Sequence, residues 1–314
     1  MTVGNTADVL NTRSLPIVQS TRLGDGWIQL RELLLNLVSG VSHGPVINDE
    51  LATESPTPKA DLASRLKIRL AKLKASAIDP DGLKVDYEAL YNSEAYAAYR
   101  QEELAALQQF DPQQLPSVEA SRAFWINLYN ALVIDAVISF DVQKSVTEGH
   151  LGMMTFFRQA AYMVGGQRMS LEDIEHGILR GNRGNPYVLG AHFPASDPRL
   201  DWSLPLDPRV HFALNCGGRS CPPIRTYEAE KLDQQLDLAT HAFLNAEVEV
   251  RPEQKELVLS QIFRWYAADF SGGDDLIQFL ADYLPDGEHR RLLLSSGHDL
   301  RIVYRPYDWR LNVL

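Results

Sequence analysis

One long apolar segment constrains this chain more than any other feature. Residues 118–140 read VEASRAFWINLYNALVIDAVISF, with apolar side chains around nearly the whole circumference of a helix. Such a helix belongs in the centre of a domain or in a bilayer. Polar residues, among them Arg122 and Asp135, interrupt the run and disfavour a bilayer span. We therefore predict a buried central helix around which the other elements pack.

The remaining periodicity predicts an α+β fold, in which a mainly helical domain carries a small β-sheet. Apolar residues recur at helical spacing over residues 26–41, 62–77, 87–110, 227–245 and 276–285. A capping pair, Ser170 with Asp173, predicts a further helix over residues 170–180. Residues 209–216 look like a strand, and residues 248–260 like a hairpin turning at 252–254. The predicted sheet thus carries the Cys-Gly-Gly segment that follows residue 215.

Composition changes suggest two parts in the chain. Residues 43–61, HGPVINDELATESPTPKAD, collect prolines, hydroxyl residues and acids without any period, which is typical of a linker or a long surface loop. We predict an N-terminal helical extension over residues 1–84, containing this loop, and a main domain over residues 85–314.

Charge and targeting signals narrow the classes of partner. The chain has 30 basic and 41 acidic residues, a net charge of −11, which disfavours nucleic acid and anionic membrane surfaces. It shows neither a signal peptide nor an apolar run of membrane-spanning length. We expect a soluble cytoplasmic protein whose partner is a small molecule or peptide substrate, or another protein.

The chain has only two cysteines, Cys216 and Cys221, and both lie in the stretch HFALNCGGRSCPP. Two cysteines are too few for a secreted disulfide scaffold, and cytosolic thiols are normally reduced, so we interpret them as thiols. A strand that ends in Cys-Gly-Gly would present the first thiol among small neighbours. This pattern favours Cys216 as a nucleophile.

A thiolate catalyst also needs a base and oxyanion donors. His176 is the candidate base, and Glu175 lies beside it; a helix turns by about 100° per residue, so Glu175 need not orient the imidazole. Asn127 or Asn130, one helical turn apart, could orient it instead. The remaining candidates would bind substrate: Gly217, Gly218, Arg219, Ser220, His211 and Cys221. The backbone amides of residues 217–220 would hold an oxyanion.

Other interpretations of the same residues stay open. The two cysteines could form a reversible disulfide, or could bind zinc together with His176 and His211, although no cofactor is expected. The asparagines could satisfy loop backbones, Glu175 and His176 could cap a helix, and the whole segment could serve a non-catalytic binding or scaffold domain.

Four motifs give the chain a resemblance to the family called domain of unknown function 547. They are AFWINLYNAL (123–132), SLEDIEHGILR (170–180), DPRVHFALNCGGRSCPPI (207–224) and YDWRLN (307–312), and the resemblance covers roughly residues 85–312. The motif positions that this chain matches are Trp125, Asn127, Asn130, Glu175, His176, His211, Cys216, Cys221 and Asp308.

The family name implies no reaction, so the resemblance assigns no catalytic residue. By analogy with papain-like and transglutaminase-like enzymes, a Cys, His and Asn set suggests a thiol-protease-like site. We therefore predict a cysteine-dependent hydrolase or acyltransferase acting on an amide, thioester or peptide-like bond.

Overall fold

The first half of the chain is mostly helical in the computed structural model, which describes residues 15–41, 46–49, 61–148, 152–270 and 273–314. Its α-helices are α1 Arg22–Val38, α2 Leu62–Ala77, α3 Tyr87–Tyr91, α4 Glu94–Ala98, α5 Leu104–Leu107, α6 Val118–Ser139 and α7 Met153–Gln159. A π-helical turn, Tyr99–Glu103, joins α4 to α5. Most of the loop predicted over residues 43–61 lies outside the described residues.

The central helix is confirmed. The side chain of Ser117 caps α6 by accepting a hydrogen bond from the Ala120 amide, and every residue from Arg122 to Val137 is buried. Asp135, fully buried in the helix, accepts hydrogen bonds from Tyr96, Tyr162 and Arg100. These partners offset the cost of burying its charge.

Helix α2 packs its leucines into the same hydrophobic core as α6. Leu62, Leu66, Leu70 and Leu73 are each at most 2 % exposed. Helix α2, which lies in the predicted N-terminal extension, is therefore integral to this core, and the boundary at residue 84 stays a prediction.

Two small sheets follow. Strands β1 Ala161–Val164 and β2 Gln167–Ser170 form an antiparallel hairpin. After α8 Leu232–Glu247, strands β3 Glu249–Arg251 and β4 Glu256–Leu259 form the predicted hairpin, with a 3₁₀ turn at Pro252–Gln254. The last elements are α9 Gln261–Trp265, α10 Gly273–Tyr283, α11 Glu288–Ser296 and β5 Arg301–Tyr304, and β5 pairs in parallel with β4.

The strand predicted over residues 209–216 is wrong, and neither sheet carries the Cys-Gly-Gly segment. Pro208–Phe212 is a 3₁₀ helix, because Pro208 occupies its first turn and the Asp207 side chain accepts a hydrogen bond from the Arg209 amide. The chain then continues as a loop, in which Gly218 makes an isolated bridge to Leu311. Local capping outweighed the apolar run that suggested a strand.

The capping pair at residue 170 is confirmed, but the helix that follows is a π-helix, Asp173–Leu179. Ser170 donates to the Asp173 carboxylate through both its amide and its hydroxyl. The wider turn is visible in the hydrogen bonds Arg180 N to Glu175 O and Asn182 N to Gly177 O. Gly177 lies against the Phe193 ring, where a Cβ atom would come within 2.1 Å of a ring carbon.

A second hydrophobic cluster is formed mostly by residues after residue 242, including Phe243, Leu257, Phe263 and Leu280, together with Phe212. None of the helices in the described ranges has the length and apolar run that a bilayer crossing requires. The candidate site lies where this cluster meets the α6 core, since Leu214 of the core and Ile262 of the cluster both line it.

Candidate functional site

A cavity of about 260 Å³ brings several predicted site residues together. It is lined by residues from the π-helix Asp173–Leu179, the 3₁₀ helix Pro208–Phe212, α9 and the C-terminal segment, among others. Glu175, His176, His211 and Cys216 are among them. We call it the aromatic cavity, because seven aromatic side chains contribute to its wall: Tyr129, Phe157, Tyr187, Trp265, Tyr266, Tyr307 and Trp309.

The two cysteines are joined in a disulfide, which corrects the interpretation of free thiols. A turn at Gly217, whose φ is +82°, brings the two sulfurs together. An L side chain rarely adopts this backbone conformation, so glycine is needed there. The pair is asymmetric: Cys216 is partly exposed and lines the cavity, whereas Cys221 is 4 % exposed.

Hydrogen-bond donors surround the buried sulfur. The amides of Cys216 and Gly218 lie 3.1 Å and 3.3 Å from Cys221 Sγ. The Tyr307 hydroxyl lies 3.2 Å from Cys221 Sγ and 3.3 Å from Cys216 Sγ, and it is the donor because neither sulfur carries a proton. Negative charge that develops on Cys221 would therefore be stabilised.

The amides predicted to form an oxyanion hole all donate within the chain. Those of Gly217 and Gly218 bind Asn215 Oδ1 and Cys221 Sγ, and those of Arg219 and Ser220 bind the carbonyls of Arg310 and Asp308. An oxyanion would have to displace one of these bonds. None of these four residues lines the cavity.

His176 is buried and neutral. Its Nδ1 lies 2.9 Å from an Arg180 guanidinium nitrogen, which can only donate, so Nδ1 accepts and Nε2 carries the proton. Burial and the neighbouring Arg180 hold the pKa of His176 well below its usual range. His176 thus offers the cavity an N–H donor, and no hydrogen bond in the described part of the chain joins it to Cys216. Its role as a base stays a prediction.

Glu175 is held by two tyrosines. The hydroxyls of Tyr129 and Tyr266 each donate to one of its carboxylate oxygens. Burial, reinforced by the nearby carboxylate, keeps the pKa of both tyrosines well above the usual range, so both remain donors. The nearest basic atom among the described residues, His176 Nδ1, lies 3.9 Å away and belongs to a neutral ring.

His211 belongs to a buried charge network. Its Nε2 lies 2.8 Å from Asp269 Oδ2, and Arg180 binds both oxygens of the same carboxylate, at 2.6 Å and 3.0 Å. Burial opposes ionisation of Asp269, but His211 and Arg180 outweigh it and hold its pKa well below the usual range. Tyr266 stacks on His211 at 4.1 Å between ring centroids.

Glu172 lies on another part of the cavity wall, 2.9 Å from an Arg158 nitrogen. Burial raises its pKa to about 7, against the opposing effect of Arg158. Glu172 is therefore a carboxyl group that titrates near neutral pH, which is a property of many general acids and bases.

The two asparagines of α6 bind loop backbones. Asn127 exchanges two hydrogen bonds with the backbone of Tyr227, and Asn130 binds the Ala213 carbonyl and the Asn215 amide. Both are 1 % exposed. Their described partners thus match the structural interpretation, and no hydrogen bond in the described ranges joins either asparagine to His176.

Several residues of the site were missed from the sequence: Tyr129, Arg180, Tyr266, Asp269 and Tyr307. Asp269 offered one signal, since it is a lone acid in the largely apolar stretch WYAADF. Tyr307 begins the closing motif, in which only Asp308 was singled out. The others gave no local sign, because their partners lie far along the chain.

No metal centre is formed by the described residues, which contain no cluster of three or more potential His, Cys, Asp or Glu ligands. Bonded to each other, Cys216 and Cys221 cannot act as the thiolate ligands that the zinc alternative requires.

Comparisons with known proteins give one family. Residues 112–244 match the model of a family described as "Protein of unknown function, DUF547". No curated protein and no solved structure matches the chain. The matched range includes α6, the π-helix and both cysteines, whereas Tyr266, Asp269 and Tyr307 follow it. Residues 112–244 are therefore similar to the family described as "Protein of unknown function, DUF547".

Proposed function

We propose that the protein is a thiol–disulfide exchange enzyme that works at the aromatic cavity. One observation carries the proposal: the disulfide Cys216–Cys221 offers one partly exposed sulfur to the cavity and keeps the other buried among donors. A reversible disulfide of this kind needs one attacked sulfur and one leaving or resolving sulfur.

The exchange follows from this asymmetry. The thiolate of a substrate attacks Cys216 Sγ, a new sulfur–sulfur bond forms, and the Cys216–Cys221 bond breaks with its electron pair passing to Cys221 Sγ. The amide of Gly218 and the Tyr307 hydroxyl stabilise that thiolate. A second substrate thiolate then attacks the substrate sulfur of the mixed disulfide, and the bond from that sulfur to Cys216 breaks with its electron pair passing to Cys216 Sγ. In total, two substrate thiols become a disulfide, and the cysteine pair becomes a dithiol.

Two single variants test the exchange. We expect Cys221→Ser, which keeps the cavity thiol, to form a mixed disulfide with oxidised glutathione about tenfold faster than Cys216→Ser, which keeps the buried thiol. Intact-protein mass spectrometry measures both rates on folded protein, with circular dichroism as the folding control. Equal rates, or faster reaction of Cys216→Ser, would overturn the proposal.

A second candidate is a cysteine-dependent hydrolase or acyltransferase with a thiol-protease-like site, active after reduction. It is favoured by the position of Cys216, Glu175 and His176 around one cavity. Cys216 would attack an acyl carbon of an amide, thioester or peptide-like bond, expel the leaving group, and pass the acyl group to water or another acceptor. The hydrogen bond between His176 Nδ1 and Arg180 argues against His176 as the base in this arrangement.

The hydrolase candidate makes a separate prediction. The reduced protein would accumulate an acyl adduct on Cys216 when mixed with an activated thioester, and Cys216→Ser would not. If neither this adduct nor the mixed disulfide forms, a non-catalytic binding role becomes the better account.

A further inference from the structure

We propose that the aromatic cavity binds an organic cation, an amine or quaternary ammonium group carried on a small apolar body. The proposal rests on the proposed function, because it names the substrate class of the same site. The wall combines aromatic faces with the carboxyl groups of Glu172 and Glu175, and none of the described residues that line it is lysine or arginine.

Glu175 is the anionic anchor. Two tyrosine hydroxyls orient its carboxylate, and no lysine or arginine of the described residues forms an ion pair with it. Hydroxyl donors hold a carboxylate in place but leave its charge in the cavity. A ligand cation would supply the missing counter-charge in a site where water screens little.

Three aromatic side chains form the second half of the site. The rings of Trp265, Tyr307 and Trp309 lie 4.6–5.5 Å apart in pairs, next to Cys216. Trp265 and Trp309 are only partly buried, so ring surface remains available to a ligand. Tryptophan faces are the strongest aromatic partners of ammonium groups.

Tyr266 is engaged differently. One contact of its ring is the stacked imidazole of His211, and the guanidinium carbon of Arg180 lies 4.7 Å from the ring centroid. The charge of Arg180 is already offset by the Asp269 carboxylate, which binds it through two hydrogen bonds. We therefore assign the ligand cation to the Trp265, Tyr307 and Trp309 group rather than to Tyr266.

The charges around the cavity select against other ligands. An anion would approach Glu175 without a lysine or arginine among the described residues of the wall to balance it, and of the two wall histidines His211 already binds the Asp269 carboxylate. The net charge of −11 adds a long-range attraction for cations. A neutral apolar molecule would fill the volume but leave the carboxylate unpaired.

Choline and 3,3-dimethylbutan-1-ol test the proposal, because they share a shape and differ in charge. By isothermal titration calorimetry on the full chain, we expect choline to bind at least about tenfold more tightly than the alcohol. We expect Glu175→Gln to weaken choline binding about five- to tenfold and to leave the alcohol unaffected. The exposed Glu253→Gln is the matched charge control and should change neither affinity.

The outcomes are distinct. Equal affinities for the two probes, no binding of choline, or choline affinity unchanged in Glu175→Gln with an unaltered melting temperature would each overturn the proposal. A second variant, Trp265→Leu, should also weaken choline binding, which keeps the test decisive if Glu175→Gln does not fold. Repeating the titration with the double variant Cys216→Ser/Cys221→Ser separates the two ideas: it removes thiol exchange, and choline should still bind.

Discussion

The aromatic cavity and a polar groove next to it share Glu172 as a common wall but handle charge in opposite ways. The polar groove has a volume of about 400 Å³ and is lined by Glu32, Arg158, Arg168, Asp173, His192 and Arg199, among others. In the groove, arginines and acids lie side by side. In the cavity, acids lie among aromatic rings.

The groove neutralises itself. Arg158 pairs with Glu32 at 2.7 Å, Arg199 pairs with Asp173 at 3.3 Å, and His192 lies 2.9 Å from the same aspartate. Because these charges satisfy one another, they hold elements together and leave little for a ligand. Among the described residues, the hydrogen-bond partners of the Glu175 carboxylate are the hydroxyls of Tyr129 and Tyr266, and no lysine or arginine forms an ion pair with it. The comparison teaches that the two cavities differ in how their charges are matched, more than in volume, and this difference is what supports the proposed cation site.

The largest expected effect concerns the buried acid behind the cavity. Asp269→Asn should lower the free energy of unfolding by about 3–5 kcal/mol, because it leaves the buried Arg180 without a counter-charge. Chemical denaturation measures the change. Asp286→Asn removes the exposed partner of Arg290 and should cost less than about 0.5 kcal/mol. A loss below about 1 kcal/mol for Asp269→Asn would mean that the network contributes little.

Asp269 should also change how the free energy of unfolding depends on pH. Its pKa is lower in the folded than in the unfolded protein, so its stabilisation is present above the unfolded value of about 3.9 and is lost as pH falls further. The loss of stability between about pH 4 and pH 2 should be smaller in Asp269→Asn than in the wild type.

Glu172, which lines both the aromatic cavity and the polar groove, provides the next prediction. The pKa of Glu172 is raised to about 7, so its contribution to stability is present below the unfolded value of about 4.3 and is lost as pH rises through 7. Between pH 5 and pH 8 the wild type should lose about 2 kcal/mol relative to Glu172→Gln, as measured by urea unfolding. Parallel profiles for the two proteins would show that Arg158 keeps this carboxyl ionised.

An effect of similar size is expected from the disulfide, which lies on the cavity side. Its ring closes over a sequence separation of 5, so its reduction should lower the free energy of unfolding by about 2 kcal/mol. Unfolding with and without dithiothreitol gives the value. The double variant Cys216→Ser/Cys221→Ser is the control, and its stability should not respond to the reductant.

The smallest effect concerns the sign of charge near the cavity tryptophans. The variant Trp27→Phe removes an indole that is 55 % exposed and would dominate the signal. In this variant the cation caesium should quench the remaining tryptophan fluorescence more than the anion iodide does. Replacing Trp265 by Phe as well should reduce that difference, because Trp265 lies on the acidic cavity wall. Iodide quenching equal to that by caesium would contradict the assigned charge.

Much of the fold was predictable because its signals are local. The unbroken apolar circumference of α6 identified the central helix, the leucine spacing of α2 gave its bounds, and Pro252 marked the turn of the hairpin. The strand predicted over residues 209–216 failed for a local reason too. Asp207 followed by Pro208 starts a 3₁₀ helix, a capping signal that the apolar pattern obscured.

Four of the residues singled out in the sequence share the aromatic cavity, but their contacts were not predictable. Glu175, His176, His211 and Cys216 line one cavity, as their chemistry suggested. Their partners are distant: Tyr266 follows Glu175 by 91 residues, and Asp269 follows His211 by 58. No periodicity relates residues so far apart. The sequence therefore predicted neither the tautomer of His176 nor the hydrogen bonds that the tyrosine hydroxyls donate to Glu175.

Short-range rules, which act over one or two turns of backbone, were therefore sufficient for the central helix, the helix α2 and the cap at Ser170. The folded chain alone decided that Cys216 meets Cys221, that Arg180 occupies the lone pair of His176, and that no lysine or arginine of the described residues forms an ion pair with Glu175. The reason is physical. Hydrogen bonds and charge pairing depend on distances of a few ångströms, and packing around α6 sets those distances between segments far apart along the chain.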